Sequence, residues 1–399
     1  MPAKTLWKPW DEENFKNPYP MYQKLRETEP LHLAHTGEWI ITRYKDVKVI
    51  LKDPRFVVGN RLEWIKRGVR YMHSPTTDLQ AIAEAMNSFL LFLNPPDHTR
   101  IRKFIATQWD NYQVEQLIHQ NIDRLIRGFV DREGFDLVQD FAQHLPAMTM
   151  ARILGIPQGD YFRLKNHAYE LIKALDLYIS VKDLVMIHHA ASEFIAYFSE
   201  LISAQKYEHG GLLAKLCKAN DLLSEPLSQN ELISICIFLF TAGEETTASL
   251  IGTGVSNLLT QTASQDRQNI DWDLAIDELL RYDPPVQLLG RIAATDVVLD
   301  GKDINKGSAI TLCLGSANRD KNIFENPDEI DLLRKHNRHL AFGSGIHFCL
   351  GDWLGRLQGK IAIRRLFEAY PCLKLESDTR QWNKNLAIRS LSSLVVIKN

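Results

Sequence analysis

Apolar positions recur with the period of an α-helix along most of the 399-residue chain. Tyr19 to Glu29 is amphipathic in this way and ends at Pro30, which cannot continue a helix. Residues 31–35 and 38–44 instead alternate between apolar and polar around Thr36-Gly37, which is typical of a β-hairpin. Further helices are predicted at 44–52, 98–128, 161–206, 229–259 and 350–370, and short strands at 296–299, 309–313 and 394–397. The predicted fold class is therefore mainly α with small β-sheets.

The longest helical pattern is also the most apolar. Ser228 and Glu231 have the spacing of a capping box, which predicts a helix beginning near Gln229. This helix is apolar along its length to about Leu259, so we expect it to run through the middle of the protein. Residues 56–93, in contrast, have weak periodicity and many apolar side chains, which is typical either of a binding loop or of ordinary core packing.

Composition narrows the class of protein. Hydrophobic residues make up 45% of the chain, and 47 Lys and Arg nearly balance 49 Asp and Glu, which gives no reason to expect nucleic-acid binding. No apolar run stays free of charged residues for the roughly 18 residues that a membrane span needs, so we expect a cytoplasmic protein without a membrane anchor. The five cysteines, at 217, 236, 313, 349 and 372, lack the spacing of disulfides, zinc sites or iron–sulfur clusters.

Cys349 differs from the other cysteines, which lie in apolar contexts typical of core residues. It belongs to the segment Ala341-Phe-Gly-Ser-Gly-Ile-His-Phe-Cys-Leu-Gly-Asp352 and directly precedes the predicted helix over 350–370. Free backbone amides and the helix dipole stabilise a thiolate at such a position. The sequence therefore predicts a thiolate ligand for haem iron.

The neighbours of Cys349 suit the same interpretation. Gly343 allows a tight loop to pass beneath a flat ring, and Gly351 removes a side chain that would press on it. Phe342 would shield the sulfur from water, and His347 would reach a haem propionate.

The segment Thr241-Ala-Gly-Glu-Glu-Thr-Thr247 places polar side chains within the apolar central helix, where their burial costs free energy. Thr246 lies four residues after Ala242, so its hydroxyl can compete for the Ala242 carbonyl and open a groove. A diatomic ligand on iron would fit there, with Thr246 donating a hydrogen bond and Glu245 linking the site to solvent protons. Glu244 is interpreted as a structural or surface acid. The alternative is that the whole segment is a solvated helix face.

Three groups of these residues resemble signatures of the cytochrome P450 family. Phe342 to Gly351 is similar to the family's haem-binding segment, and Ala242 to Thr247 is similar to its central-helix motif. Glu278-Leu-Leu-Arg281, with Arg334 further along, resembles the family's Glu-x-x-Arg helix and distal arginine. The resemblance implies that Glu278, Arg281 and Arg334 form a buried structural cluster.

The resemblance also implies the fold and the cofactor. It implies one P450-like domain over residues 1–399, with haem b ligated by Cys349 between the central helix and the cysteine loop. His98 and Arg102 would begin a propionate-binding helix, and Arg291 would lie on a strand beside the haem. His347 and His339 would complete the propionate contacts, and Ala242 would lie against the ring.

Electrons must come from separate proteins, because the chain has no flavin or NAD site. The resemblance implies a ferredoxin or flavodoxin with an NAD(P)H-dependent reductase. Such a partner would dock where Lys103, Arg356 and Lys360 offer positive charge, although each could equally be an ordinary solvated cation.

The residues expected in the substrate pocket come from two arguments. Counting back along the helix from Thr246 places Phe238, Thr241 and Ala242 toward the iron. Correspondence with the family adds Phe89, Val286, Gln287, Leu288, Ala387 and Ile388, together with residues 175–178. Nearly all are apolar, which predicts a hydrophobic small-molecule substrate; ordinary core packing is the alternative.

The leading hypothesis is a monomeric haem-thiolate monooxygenase that hydroxylates or epoxidises a hydrophobic small molecule. Secondary metabolism or the oxidation of lipids, terpenoids or steroids would use such an enzyme. One alternative is a P450-type enzyme that catalyses oxidative coupling or peroxide-driven oxidation. A second is a non-catalytic haem-binding sensor. Glu245 and Thr246 favour the oxygen-dependent route over the peroxide route, but not over coupling.

Overall fold

The computed structural model describes residues 6–59, 79–109, 113–176, 179–262, 270–376 and 380–398. These residues are mainly helical with small sheets, as the sequence predicts. The helices in chain order are α1 Glu12–Lys16, α2 Tyr19–Thr28, α3 Tyr44–Ile50, α4 Gln80–Met86, α5 Asp97–Gln108, α6 Val114–Arg127, α7 His144–Leu154, α8 Tyr161–Ile172, α9 Val181–Ser203, α10 Leu212–Asp221, α11 Gln229–Gln261, α12 Trp272–Tyr282, α13 Leu314–Ala317 and α14 Asp352–Ala369. Short 3₁₀ helices lie at Leu90–Phe92, Lys173–Leu175 and Gly345–His347, and a π-helical turn at Val138–Ala142.

The strands in chain order are β1 Leu31–Leu33, β2 Trp39–Ile41, β3 Phe56–Val57, β4 Gly134–Asp136, β5 Leu288–Ala293, β6 Val297–Leu299, β7 Lys302–Ile304, β8 Ala309–Cys313, β9 Lys374–Leu375, β10 Gln381–Trp382, β11 Leu391–Ser393 and β12 Val395–Ile397. The predicted hairpin is present, because β1 and β2 pair antiparallel and Gly37 adopts φ +85° at their turn. The predicted capping box is also present: the Ser228 hydroxyl accepts from the Glu231 amide at 3.2 Å, and the Glu231 carboxylate accepts from the Ser228 amide at 2.8 Å.

Two predicted helices are each divided. The stretch 98–128 separates into α5 and α6, because Trp109 is extended and Gln113 is left-handed with φ 64°. The stretch 161–206 separates into α8 and α9, since Asp176 is extended and Ser180 caps α9 by accepting from the Asp183 amide. The backbone dihedral angles leave the α-helical region at these positions. The spacing of apolar residues in the sequence does not by itself reveal such breaks.

The chain divides into two compact units. The first unit comprises Met1–Gly59, Asp131–Gln139 and Ser249–Asn399, and it contains all the described strands. Its largest sheet has the order β1-β2-β8-β5-β3, with only the β2–β8 pair parallel. Buried side chains of this sheet pack with α3 around Ile41, Val47, Ile310 and Leu312, none of which is more than 1% exposed. This core supports β5, which carries Arg291.

The second unit comprises Asn60–Val130 and Asp140–Ala248, and its described residues form helices only. Its helices α4, α7 and α8 pack against partners that include α9 and α6. The unit's portion of α11 contains the motif Thr241 to Thr247. The predictions for residues 60–78 and 177–178, within the apolar 56–93 segment and the 175–178 pocket segment, lie outside the described residues.

Helix α11 is the only described helix that is long and apolar enough to cross a membrane by length and composition. However, 78% of its apolar window is buried inside the protein. A buried core helix of a large domain can be equally long and apolar, and the sequence predicts a core helix at these residues. The expected cytoplasmic location stays a prediction.

Candidate functional site

Backbone geometry fixes the loop that carries Cys349. Gly343 and Gly345 have φ +70° and +75°, in the left-handed region that favours glycine. A side chain on Gly345 would also collide with the backbone oxygen of Leu51. The Cys349 amide donates to the Phe342 carbonyl at 3.0 Å, which closes the loop. The sulfur-bearing residue is half-buried, and none of the five cysteines, all described, forms a disulfide. The loop therefore places Cys349 just before helix α14.

A cluster of charged side chains lies behind this loop. The Arg356 guanidinium stacks 4.4 Å from the Phe342 ring centre and donates to Asp277 at 2.8 Å and to Asp352 at 2.7 Å. Nε2 of His339 lies 3.2 Å from the same Asp277 carboxylate. Burial opposes ionisation of Asp277, but the hydrogen bonds from His339 and Arg356 hold its pKa below the usual range. The guanidinium thus holds the ring of Phe342, whose backbone carbonyl accepts from the Cys349 amide.

The structure gives His339 partners within the protein, and its contact with a haem propionate stays a prediction. Its Nδ1 accepts from the Ala341 amide at 3.2 Å while Nε2 pairs with Asp277, so protein partners occupy both ring nitrogens. Arg356 and Lys360 are likewise paired with carboxylates, Lys360 with Asp273 at 2.8 Å. Because carboxylates partly neutralise them, Arg356 and Lys360 contribute less net positive charge to the predicted docking site than the sequence analysis expected.

Arg291 is a buried cation that lacks an acidic partner in the described part of the chain. Its side chain lies on β5 with the residue only 4% exposed, and its guanidinium donates to the neighbouring Gly290 carbonyl at 2.8 Å. Burial lowers its pKa to about 10. Because an unpaired buried charge is costly, this position suits an anionic group that the protein chain does not supply. A haem propionate is such a group, so the residues present fit the implied cofactor.

The structure brings Glu278, Arg281 and Arg334 together. Both Glu278 and Arg281 are 0% exposed, and the Glu278 carboxylate accepts from Nε and Nη2 of Arg281 at 2.8 Å each. Arg334 adds a hydrogen bond at 3.0 Å, as does Asn337. Arg281 also donates to the carbonyls of Asn318, Pro327 and Glu329. The cluster ties α12 to the segment that leads to the cysteine loop.

In the second unit, the Thr246 hydroxyl donates to the Ala242 carbonyl at 2.9 Å, as the spacing predicts. Helix α11 nevertheless stays continuous through this segment. Gly243 lies close to Met150, because a side chain at this position would meet the methionine sulfur at 2.8 Å and displace it. Thr246 itself is half-buried. The hydrogen bond to Ala242 thus holds the Thr246 hydroxyl within the short polar segment of an otherwise apolar helix.

Both acids of this motif are buried. Glu244 is 1% exposed and Glu245 is 3% exposed, so Glu244 is not a surface acid and Glu245 does not itself reach solvent. Lys165 on α8 is 7% exposed and interacts electrostatically with both carboxyl groups. Burial, followed by the charge of Glu245, raises the pKa of Tyr169 to about 12. The sequence analysis missed Lys165 and Tyr169, because they lie on another helix and no local motif marks them.

The predicted propionate ligands of the second unit lie on α5. His98 is 2% exposed, and burial, with the charge of Arg102, lowers its pKa. Arg102 lies one turn further along the helix and is half-buried, without an ion-pair partner among the described residues. In the first unit, His347 lies half-buried in the 3₁₀ turn before Cys349.

Residues expected in the substrate pocket form one group in each unit. In the second unit, Phe89 and Phe238 contact each other with ring centroids 5.3 Å apart. The Thr241 hydroxyl is buried without a hydrogen-bond partner in the described structure. In the first unit, Val286 forms a β-bridge with Ile388, and the Gln287 amide donates to the Ala387 carbonyl at 2.8 Å. Backbone pairing thus joins two segments that are far apart in sequence.

Two members of the first-unit group differ from the others. The Gln287 side-chain amide donates to the Pro284 carbonyl at 2.9 Å and to the Tyr19 hydroxyl at 3.2 Å, and its place in the pocket stays a prediction. It is 2% exposed and part of the scaffold. Leu288 is 4% exposed and lies at the start of β5 opposite Cys313.

Comparison with known proteins gives one consistent answer. The model of the cytochrome P450 family matches residues 261–393. A biotin biosynthesis cytochrome P450 from Bacillus subtilis is 34% identical over 399 residues, covering 96% of this chain and 97% of that protein. The polyketide biosynthesis cytochrome P450 PksS of the same organism is 32% identical, covering 98% of each. The crystal structure of P450BioI in complex with hexadec-9Z-enoic acid ligated acyl carrier protein matches with TM-score 0.87 at 33% identity, covering 97% of this chain and 99% of that chain.

Proposed function

Because this chain belongs to the cytochrome P450 family, whose members are monooxygenases, we propose that it uses O₂ to hydroxylate or epoxidise a hydrophobic small molecule. The observation that carries this proposal is the polar segment Thr241 to Thr247 within the otherwise apolar helix α11. Thr246 donates to the Ala242 carbonyl at 2.9 Å and is followed by Thr247 and preceded by buried Glu245. An alcohol and an acid at this place can deliver protons, which oxygen-dependent oxidation requires and peroxide-driven oxidation does not.

Haem b with a thiolate ligand supplies the oxygen-activating chemistry when it is bound. Cys349 is the proposed ligand, and Phe342 shields the sulfur. Gly343 and Gly351 keep the loop clear of side chains; a side chain added at Gly351 would meet no atom within 4 Å. The proposed propionate contacts are Arg291, His98, Arg102 and His347.

The chain's own residues have three tasks in this proposal. Thr246 positions a hydrogen-bond donor, and Glu245 holds a proton that it passes toward Thr246. The Glu278, Arg281 and Arg334 cluster retains the fold around the cysteine loop, and it does not touch the reacting atoms.

The proposed substrate is apolar, because the side chains offered to it are apolar. The side chains proposed to contact it are Phe89 and Phe238 in the second unit and Val286, Ala387 and Ile388 in the first, and Ala242 is proposed to contact the haem. P450BioI is described with a fatty acid on acyl carrier protein, and PksS with polyketide biosynthesis. Both descriptions are consistent with a hydrophobic biosynthetic substrate for this chain.

Bacterial cytochromes P450 generally take electrons from separate redox partners. The proposed partner is a ferredoxin or flavodoxin with an NAD(P)H-dependent reductase. Lys103 is one exposed cation that could contribute to docking. We propose that the chain acts as a monomer.

A direct experiment uses two threonines of the same helix. The purified holoenzyme is screened with apolar metabolites for a low-to-high spin shift, and a responding compound is then turned over with a ferredoxin and its reductase. Thr246→Ala is expected to divert reducing equivalents from product to hydrogen peroxide. Thr253→Ala is the matched control, because Thr253 makes the same type of bond, to the Ser249 carbonyl at 2.8 Å. If NAD(P)H oxidation is coupled to product formation equally well in the two variants, the proposed role of Thr246 is refuted. Product formation from hydrogen peroxide alone, without the redox partners, would favour the peroxide route.

A further inference from the structure

Asp277 of α12 contacts two side chains behind the cysteine loop, and the proposed function does not use these contacts. Its Oδ1 accepts from Nε of Arg356 at 2.8 Å and lies 3.2 Å from Nε2 of His339. Arg356 also donates to Asp352, one turn earlier on α14, at 2.7 Å. A carboxylate of α12 and a carboxylate of α14 thus hold the same guanidinium in place.

This guanidinium lies directly against the cysteine loop. Its central carbon is 4.4 Å from the ring centre of Phe342. The ring also packs on α14, because a side chain added at Gly355 would meet it at 3.7 Å. The backbone carbonyl of Phe342 accepts from the Cys349 amide at 3.0 Å. The positive charge of Arg356 is therefore separated by one aromatic side chain from the residue that is hydrogen-bonded to the proposed iron ligand.

Arg356 and Asp277 place charges of opposite sign beside this loop. Burial opposes ionisation of Asp277, but the hydrogen bonds from His339 and Arg356 keep its pKa below the usual range, so it is a carboxylate at neutral pH. The side chains of Arg356 and Asp277 are 34% and 31% exposed. Solvent and salt weaken the field of such partly exposed charges but do not abolish it.

The sign of each charge determines how it acts on a bound haem. Reduction of the iron adds one electron, so it lowers the charge of the site by one. A nearby cation favours the reduced state, and a nearby anion favours the oxidised state. Arg356 and Asp277 therefore act on the equilibrium for reduction in opposite directions.

We propose that Arg356, held against Phe342 by Asp277, sets the reduction potential of the haem iron, with Asp277 as the positioning residue for this charge. The inference rests on the proposed function, because it requires haem ligation by Cys349. The electron comes from the proposed ferredoxin or flavodoxin, and no proton moves and no bond changes in this step. Arg356 raises the potential and Asp277 lowers it, so the pair determines how readily such a partner reduces the iron.

The first test measures the reduction potential of the purified holoprotein by titration with dithionite and mediator dyes. The titration is done at one pH and without a redox partner, so that docking does not contribute. Arg356→Met should lower the potential and Asp277→Asn should raise it, each by the equivalent of an about two- to fivefold change in the equilibrium constant for reduction. The double variant should lie between the two single variants. Shifts of the same sign in both single variants, or no shift in either, would overturn the proposal.

The second test separates charge from packing. Arg356→Lys keeps the positive charge but not the planar group that stacks on Phe342, so it should retain most of the wild-type potential. Arg364→Met is the matched control, because Arg364 is an exposed arginine paired with Glu368 at 2.7 Å, about 12 Å further along α14. Its shift should be smaller than that of Arg356→Met. A shift in Arg356→Lys or in Arg364→Met as large as that in Arg356→Met would show that the charge of Arg356 is not the cause.

Failure of this inference differs from failure of the proposed function. The carbon monoxide difference spectrum of the wild type tests thiolate ligation, and its absence would overturn the ligation and this inference together. If wild type and variants share the thiolate spectrum but their potentials do not shift in opposite directions, only the inference fails. Neither measurement requires product formation. Thermal unfolding shows whether each variant is folded, and Arg356→Gln, with the same expected shift, replaces Arg356→Met if that variant does not retain haem.

Discussion

Replacing Arg281 with methionine should cost about 3–5 kcal/mol of unfolding free energy. The side chain is 0% exposed and donates five hydrogen bonds, two of them to Glu278 and three to backbone carbonyls. Methionine has a similar length but donates none, so three buried carbonyls lose a donor. The Glu278 carboxylate keeps only Arg334 as a cationic partner. A single domain is typically stable by about 5–15 kcal/mol, so this loss is a large fraction of the total.

Equilibrium urea unfolding followed by circular dichroism measures this cost, with the haem content of the purified protein as a second readout. Arg364→Met is the matched control, because Arg364 is an exposed arginine paired with Glu368 one turn away on α14. A surface ion pair of this kind contributes about 0–1 kcal/mol. If Arg281→Met does not fold, Arg334→Met provides the comparison, with a smaller loss expected. Equal stability of the buried and exposed variants, with full haem content, would refute the structural role of the cluster.

Three further predictions concern the cysteine loop and its surroundings. Asp277→Asn should lower the free energy of unfolding at neutral pH, because the pKa of the Asp277 carboxyl group in the folded protein lies below its ordinary value of 3.8. This stabilisation is present above pH 3.8 and is lost as the pH falls through the lower folded pKa, so the difference between the variant and the wild type should then vanish. A difference in stability that persists in acid would contradict the prediction. Arg291→Met should raise the unfolding temperature of the haem-free protein and speed haem release from the holoprotein; unchanged haem release would contradict a propionate contact. Gly345→Ala should reduce haem content, because its side chain would meet the Leu51 carbonyl, whereas Gly307→Ala, with φ +85° and no atom within 4 Å, should not; equal haem content in both would show that the close contact is unimportant.

Local sequence signals predicted the parts of the fold that depend on neighbouring residues. Pro30, the Thr36-Gly37 turn and the Ser228 to Glu231 capping box each act within a few residues, and the structure has all three features. The same holds for the Ala242 to Thr246 hydrogen bond, which one helical turn determines. The family resemblance predicted the buried cluster of Glu278, Arg281 and Arg334, which the structure contains, and it predicts Cys349 as the haem ligand.

The contacts that the sequence did not reveal involve partners that are distant in sequence. The ring of His339 contacts Asp277, which lies 62 residues earlier. The side-chain amide of Gln287 donates to the hydroxyl of Tyr19, which lies 268 residues away. Glu244 follows the same rule, because the packing of the second unit buries it and no local pattern does so. A polar residue can be recognised from sequence, whereas its partner is set by tertiary structure.

The central claim is that Cys349 ligates haem iron through its thiolate. The most direct measurement is the carbon monoxide difference spectrum of the reduced holoprotein, compared between wild type, Cys349→Ala and Cys372→Ala, where Cys372 is an exposed cysteine. The wild type and Cys372→Ala should show the absorption maximum of thiolate-ligated haem, and Cys349→Ala should lose it. A normal thiolate spectrum in Cys349→Ala, or its absence from the wild type loaded with haem, would contradict the account.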